Sequence, residues 1–227
     1  MAHWMALPRV SRMRAGGADP AAARLQALLP PVSRAPRVPP APLRKLRPLA
    51  RIVALASGRL TGTEPLTIFT TLGRHPRLFR AWLFYSARLM PFGTLPRCDA
   101  ELLILRVAWQ CGAAYEWWHH VPLALRAGLR PEEIAAAAGA PSAAGLSERR
   151  RVLIAVTDDV LARQALSDDT WQAARQTLTE REMIEACLLI GHYQGLASAI
   201  GGLGIQLEDR SLNEAPTSGD PAAPRSC

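Results

Sequence analysis

An all-α fold is what this sequence predicts, and three observations predict it. Apolar residues recur at three- and four-residue spacing through most of the chain between residue 42 and residue 210. Helix start and stop signals bracket those stretches: Pro or Ser/Thr/Asp at their beginnings, Gly or Pro at their ends. No alternating strand pattern or Asn-Gly hairpin signal interrupts them. About eight or nine helices follow from these signals.

Taken in order, "LRPLARIVALASG" has helical spacing and is expected to stop at Gly58. "PLTIFTTLGRH" is a short helix opened by Pro65. "PRLFRAWLFYSARLM" begins with Pro76 in a first-turn position and ends before Pro91. "DAELLILRVAWQCG" begins at Asp99, a good N-cap residue, and is apolar on most sides, which predicts a core helix. "YEWWHHVPLALRAG" follows it and ends at Gly128, and "PEEIAAAAG" lies between Pro131 and Gly139. Ser147 and Ser167 cap the next two helices, and Thr179 with Glu182 forms a capping box ahead of the long closing helix. Small residues of that last helix (Gly195, Ala197, Ser198, Ala199, Gly201, Gly202) suit close packing, within the chain or between subunits.

The ends read differently. Residues 1–41 are rich in Pro, Arg and Ala, with no sustained period, and are expected to be a disordered basic segment. Residues 211–227 have a similar character, which leaves 42–210 as the folded domain. The net charge of +8 is unevenly spread. Residues 1–60 hold eleven Arg/Lys against one acid, Asp19, whereas 61–227 hold sixteen Arg against eighteen acids. The body is therefore close to neutral, and association with nucleic acid through the N-terminal arm ranks last among the functional readings. No run of about 18 uncharged apolar residues suggests a membrane span. The four cysteines, Cys98, Cys111, Cys187 and Cys227, are scattered, with no Cys-x-x-Cys and no export signal. A cytoplasmic protein with free thiols is expected.

The stretch "CGAAYEWWHH", residues 111–120, gathers the chemistry. On a helix, Glu116 shares a face with His120 and neighbours His119, and Tyr115 neighbours His119. A carboxylate beside an imidazole, with a phenol close by, is an acid–base set. The same spacing also serves an ordinary surface or interface contact. Pro122 removes a backbone donor and crowds the carbonyl of Trp118, which predicts a disturbance just beyond the histidines. Glu101, early in an apolar helix, needs a partner or a proton; a helix-dipole role is the plainer alternative. A metal site from Glu116, His119, His120 and His192 is a further option. The di-iron Glu-x-x-His arrangement needs a second such unit, and none occurs. No metal and no cofactor is expected.

The segment "LPRCDAELLILRVAWQCGAAYEWWHHVPLALRAGLRPEEIAAAA" resembles the carboxymuconolactone decarboxylase family, which shares its fold with alkylhydroperoxidase D. The flanking helices fit as well, so that the resemblance spans about residues 42–210. It implies an oligomeric helical protein acting on a small molecule. In the peroxidase branch a glutamate, a Cys-x-x-Cys pair and a histidine act together. Carried over by position, Glu101 matches the relay glutamate and His120 the relay histidine, while Ala113 and Glu116 stand where the two cysteines would be. The acid–base frame is kept and the redox pair is absent. The decarboxylase branch, which works on small carboxylated lactones without metal or organic cofactor, implies proton transfer at carbon.

The resulting expectation is a cofactor-independent enzyme acting on a small organic acid or lactone by decarboxylation or isomerisation. Glu101, Glu116 and His120 are its catalytic residues, Tyr115 and His119 donate hydrogen bonds to substrate, and Trp117 and Trp118 line an apolar wall. The alternatives are hydroperoxide reduction through Cys111 and a non-catalytic scaffold that retained the fold.

Overall fold

The computed structural model describes residues 19–31, 35–61, 63–139 and 145–208. Among these residues lie ten α-helices and one short 3-10 turn, with no strand. The helices are α1 (Pro20–Gln26), α2 (Pro48–Thr61), α3 (Thr67–Leu72), α4 (Pro76–Leu89), α5 (Arg97–Gln110), α6 (Ala114–Arg126), α7 (Pro131–Ala138), α8 (Glu148–Arg163), α9 (Asp168–Thr177) and α10 (Glu180–Leu203). The all-α expectation holds.

Helix α5 is the axis around which the others pack. Leu102, Leu103, Ile104, Leu105, Val107 and Ala108 are all fully buried, which is what a helix apolar on every side requires. One side of α5 (Leu103, Ile104, Val107) packs with Leu153 and Val156 of α8 and with Ala186, Leu189 and Ile190 of α10. The opposite side (Leu102, Leu105, Ala108) packs with Trp117, Val121 and Ala124 of α6 and with Ile134 and Ala137 of α7. Buried ion pairs hold the outer helices. Arg106 of α5 clamps Asp158 of α8 at 2.7 and 2.8 Å, and Arg149 bridges Asp99 and Glu182 at 2.7 and 2.6 Å.

Several local expectations are corrected. Helix α5 begins at Arg97 with Pro96 at the cap position, and Asp99 is a first-turn residue paired with Arg149 rather than the N-cap. Helix α2 continues through Gly58 to Thr61, where Thr61 Oγ1 donates back to the carbonyl of Ser57. Most consequential is the N-terminal side. Residues 20–26, inside the segment expected to be disordered, form α1, capped by Asp19. Ala22 and Leu25 of α1 are buried in the α6–α7 cluster. Proline density misled here because the prolines that break helices lie at 30–42, beyond the end of α1, whereas Pro20 sits at its first position and favours a helix start. Residues 1–18 and the expected C-terminal tail, 211–227, lie outside the described residues.

Helix α1 also settles the role of Pro122. Helix α6 runs through this proline, and the Trp118 carbonyl that it deprives of a donor accepts a 2.7 Å hydrogen bond from Gln26 Nε2. The proline is accommodated by a side chain of the same protein.

The turn from α5 to α6 is a Schellman closure. Gly112 takes φ +62°, Ala113 N–H donates to Ala108 O at 2.8 Å and Gly112 N–H to Trp109 O at 3.1 Å. A Cβ at Gly112 would meet nothing within 4 Å, so only its backbone conformation demands glycine. Gly112→Ala is expected to cost about 1 kcal/mol in urea denaturation with an unchanged m-value. A cost near zero would show that the turn does not constrain α6.

Candidate active site

Two helices bring the relay residues together. Glu101 of α5 is fully buried, so its carboxylate must be neutralised where it sits. One oxygen accepts from Arg97, one helical turn earlier, at 3.0 Å from Nε and 2.9 Å from Nη2. The other lies 2.7 Å from His120 Nδ1 of α6. With Nδ1 donating to Glu101, Nε2 is the ring nitrogen that carries the lone pair. The dipole alternative for Glu101 gives way to this pairing. Arg97, which the sequence reading passed over, carries an i,i+4 signal that was available.

Glu116 sits at the third position of α6, one turn before His120 on the same helix. Its side chain faces inward, and neither carboxylate oxygen has a hydrogen-bond partner among the described residues. Burial alone pushes this carboxyl up to about 8, so it carries its proton at neutral pH. Tyr193 of α10 joins the two acids. Burial raises its phenol well above the ordinary range, the charges of Glu101 and Glu116 raise it further, and Arg97 opposes them. The Tyr193 ring stands edge-on to His120, with centroids 5.2 Å apart. Tyr193 thus touches His120 and lies within electrostatic reach of both Glu101 and Glu116. Tyr193 was missed because a tyrosine in an apolar helix reads as core; its position beside His192 in "GHYQG" was the one hint.

The remaining candidates separate from this group. Tyr115 and His119 face the other way and meet Glu208, a residue the sequence reading did not single out. Tyr115 Oη donates to Glu208 Oε1 at 2.7 Å and accepts from Ile68 N–H at 3.2 Å. His119 Nε2 lies 3.0 Å from Glu208 Oε2, and Thr67 N–H donates to Glu208 at 2.7 Å. Burial works against the Glu208 anion, but His119, Thr67 and Tyr115 outweigh it and hold the carboxyl below its usual value. This second carboxylate–imidazole pair ties the segment after α10 to α3 and α6. Adjacent residues on a helix point about 100° apart, which is why His119 and His120 serve different clusters.

Trp117 is fully buried and donates from Nε1 to Leu25 O at 2.8 Å, which makes it a core residue rather than a site wall. Trp118 lines a small cavity of about 40 Å³ with His119, Thr61, Thr63 and Arg126. A larger cavity of about 290 Å³ lies among Leu72, Phe79, Trp82 and Leu203. Neither cavity is lined by Glu101, Glu116 or His120. His192 approaches Ser86 Oγ at 2.9 Å, and burial pushes its imidazole down, towards the neutral form. Of the four candidate metal ligands, His119 is turned to Glu208 and His192 to Ser86, away from His120 and Glu116, and among the described residues no three His, Cys, Asp or Glu side chains are grouped to hold a metal. Cys111 is exposed at the end of α5, and partial burial together with the charge of Glu116 pushes its thiol up, away from the reactive thiolate.

The carboxymuconolactone decarboxylase family profile matches residues 76–159, from α4 through α8, and includes Glu101, Glu116 and His120. Solved structures share the fold. A peroxidase-related protein from Ralstonia eutropha JMP134, described as an alkylhydroperoxidase AhpD core, is 18% identical, with TM-score 0.69 over 78% of this chain and 95% of that one. A peroxidase-related protein from Silicibacter sp. TM1040 is 13% identical, with TM-score 0.67 over 80% and 98%. The debrominase Bmp8, in a cysteine-to-alanine variant bound to 2,3,4-tribromopyrrole, is 19% identical, with TM-score 0.64 over 79% and 94%. Among curated proteins no sequence matches. Residues 76–159 thus match the carboxymuconolactone decarboxylase family, and the chain shares its all-α fold with these alkylhydroperoxidase D-like structures.

The raised Glu116 value has a consequence for stability. The folded state keeps this proton up to about pH 8, whereas the unfolded chain releases it near 4.5. Stability is therefore lost as pH rises from 4.5 and levels off above 8, by on the order of 4–5 kcal/mol from this group. Glu116→Gln should flatten that decline in thermal melts between pH 5 and 8.5. An unchanged slope would mean that Glu116 ionises normally.

Proposed function

We propose that this protein is a cofactor-independent acid–base enzyme that decarboxylates or isomerises a small organic acid or lactone. The observation that carries the reading is a buried, unpartnered, protonated carboxyl, Glu116, one helical turn from a carboxylate-oriented imidazole. An acid without partners in an apolar setting is destabilising unless it is used, and such groups mark places where a ligand binds.

His120 Nε2 removes a proton from the carbon next to the substrate carbonyl, and Glu101 stabilises the imidazolium through Nδ1. Glu116 returns a proton to the carbanion or enolate, and in an isomerisation the proton held by His120 is then released to solvent as solvent reprotonates Glu116, which restores both groups. In a decarboxylation the C–CO2 bond breaks with its electron pair left on carbon, the Glu116 proton closes that valence, and solvent reprotonates Glu116. Arg97, with its side chain 40% exposed, is the cation available to a substrate carboxylate beside the relay. Tyr193 stays neutral and shields the site from charge build-up. Hydroperoxide reduction through Cys111 is the weaker reading, because its thiol is pushed up and Ala113 and Glu116 occupy the redox positions. Cys98, Cys111 and Cys187 are free thiols, which supports a cytoplasmic setting.

The test is a screen of small carboxylates and lactones for thermal protection, followed by turnover assays of the binders. His120→Ala and Glu116→Gln are expected to lose at least about 100-fold in kcat/KM, and Cys111→Ser to lose nothing. Activity should fall as pH rises through about 8, where Glu116 gives up its proton. If the relay variants shift melting temperature without altering any turnover, the protein is a scaffold and the enzymatic reading fails.

A further inference from the structure

Charge is divided between two parts of the fold. From Arg37 to Arg88 the sequence holds ten Lys or Arg and one acid, Glu64, whereas residues 99–208 hold nine Arg and fourteen acids. In the second part Arg106, Arg149 and Arg150 are paired with acids of the same chain. The ten cations of the first part are all exposed, and none of them is in an ion pair among the described residues. So many cations on neighbouring helices repel one another until an anionic partner covers them.

Exposed apolar groups gather in the same place. Eleven large apolar side chains are exposed among the described residues, and six of them (Leu49, Ile52, Leu55, Leu78, Phe84 and Tyr85) lie on α2 and α4, so cations and apolar surface are concentrated together. Ala50 and Val53 of α2 share one core cluster with Phe79, Trp82 and Leu83 of α4, which packs the two helices into a single layer. Their outer faces follow one pattern. Leu49, Ile52, Ala56 and Arg59 on α2, like Leu78, Ala81, Tyr85 and Arg88 on α4, are spaced three, four and three residues apart, which draws one exposed stripe along each helix. The Arg88 guanidinium lies 5.2 Å from the centre of the Phe84 ring, so the cation sits over apolar surface. The cavity of about 290 Å³ repeats the combination, since its lining joins the exposed Arg74 to Leu72, Phe79 and Trp82.

The occupant must therefore offer anions and hydrocarbon side by side. A nucleic acid supplies phosphates, but Leu49, Ile52 and Leu55 cannot stack on bases and would be left facing phosphate or water. An anionic bilayer supplies both: headgroup phosphates for the arginines and the acyl boundary for the apolar stripes, with arginine stems lying along the apolar surface. We propose that the α2–α4 layer is a peripheral binding surface for anionic lipid bilayers, with Ile52 and Phe84 entering the acyl boundary and Arg51, Arg77, Arg80 and Arg88 on the headgroup phosphates. The contact lies in the membrane interface and crosses nothing. It uses none of the residues of the acid–base site.

Sedimentation of the full chain with vesicles tests this. The protein is expected to pellet with vesicles of phosphatidylcholine and phosphatidylglycerol in about a two-to-one ratio, to stay in solution with phosphatidylcholine alone, and to be released as salt rises. Combined Arg77→Gln, Arg80→Gln and Arg88→Gln should lower the partition coefficient at least about tenfold, since each cation at such a surface contributes about fivefold. Combined Ile52→Ser and Phe84→Ser should lower it at least about tenfold as well and leave the remainder more sensitive to salt. All five positions are exposed, and the two sets share no residue, so either one tests the layer if circular dichroism shows the other misfolded. Equal binding to neutral and anionic vesicles, binding to duplex nucleic acid with none to vesicles, self-association with none to vesicles, or vesicle binding indifferent to the folded variants overturns the proposal.

Discussion

A carboxylate with no exposed surface, in the second turn of the most deeply buried helix, is the constraint on which the rest of this structure depends. Glu101 cannot be left unpaired there without a cost of several kcal/mol. Arg97 answers one oxygen from the same helix, and His120 answers the other from α6. The second bond fixes the rotation of α6 about its axis. Once His120 faces Glu101, Glu116 one turn earlier must face inward too, and His119 must turn away towards Glu208.

Two acids in one neighbourhood thus acquire opposite characters. Glu101 is surrounded by donors, whereas Glu116 has none and holds a proton. Where the family resemblance would put two thiols, this sequence has a methyl group, Ala113, and a carboxyl, Glu116.

Nine of the ten helices were legible because their signals are local. Capping residues, first-turn prolines and the three–four apolar period act within a turn or two of themselves, and the N-caps Ser147 and Ser167 and the capping box at Thr179 stand where the sequence places them. Helix α1 was not legible, since seven residues are too few for a period and its stability comes from Leu25 packing under Trp117. Family resemblance set Glu101 beside His120, and the two are in contact; position alone left a helix-dipole role for Glu101 equally open.

By itself, then, the sequence determined the helical architecture, the absence of a Cys-x-x-Cys pair and the presence of an acid–base set on α6. Tertiary structure alone decided which of those groups act together. It brought in Arg97 and Tyr193, removed Trp117 to the core, assigned His119 to Glu208 and gave the Trp118 carbonyl to Gln26. The physical reason is that helix formation is governed by neighbours a few residues apart. A buried group's partner and protonation state are governed by whatever the packing of distant helices places within about 3 Å of it.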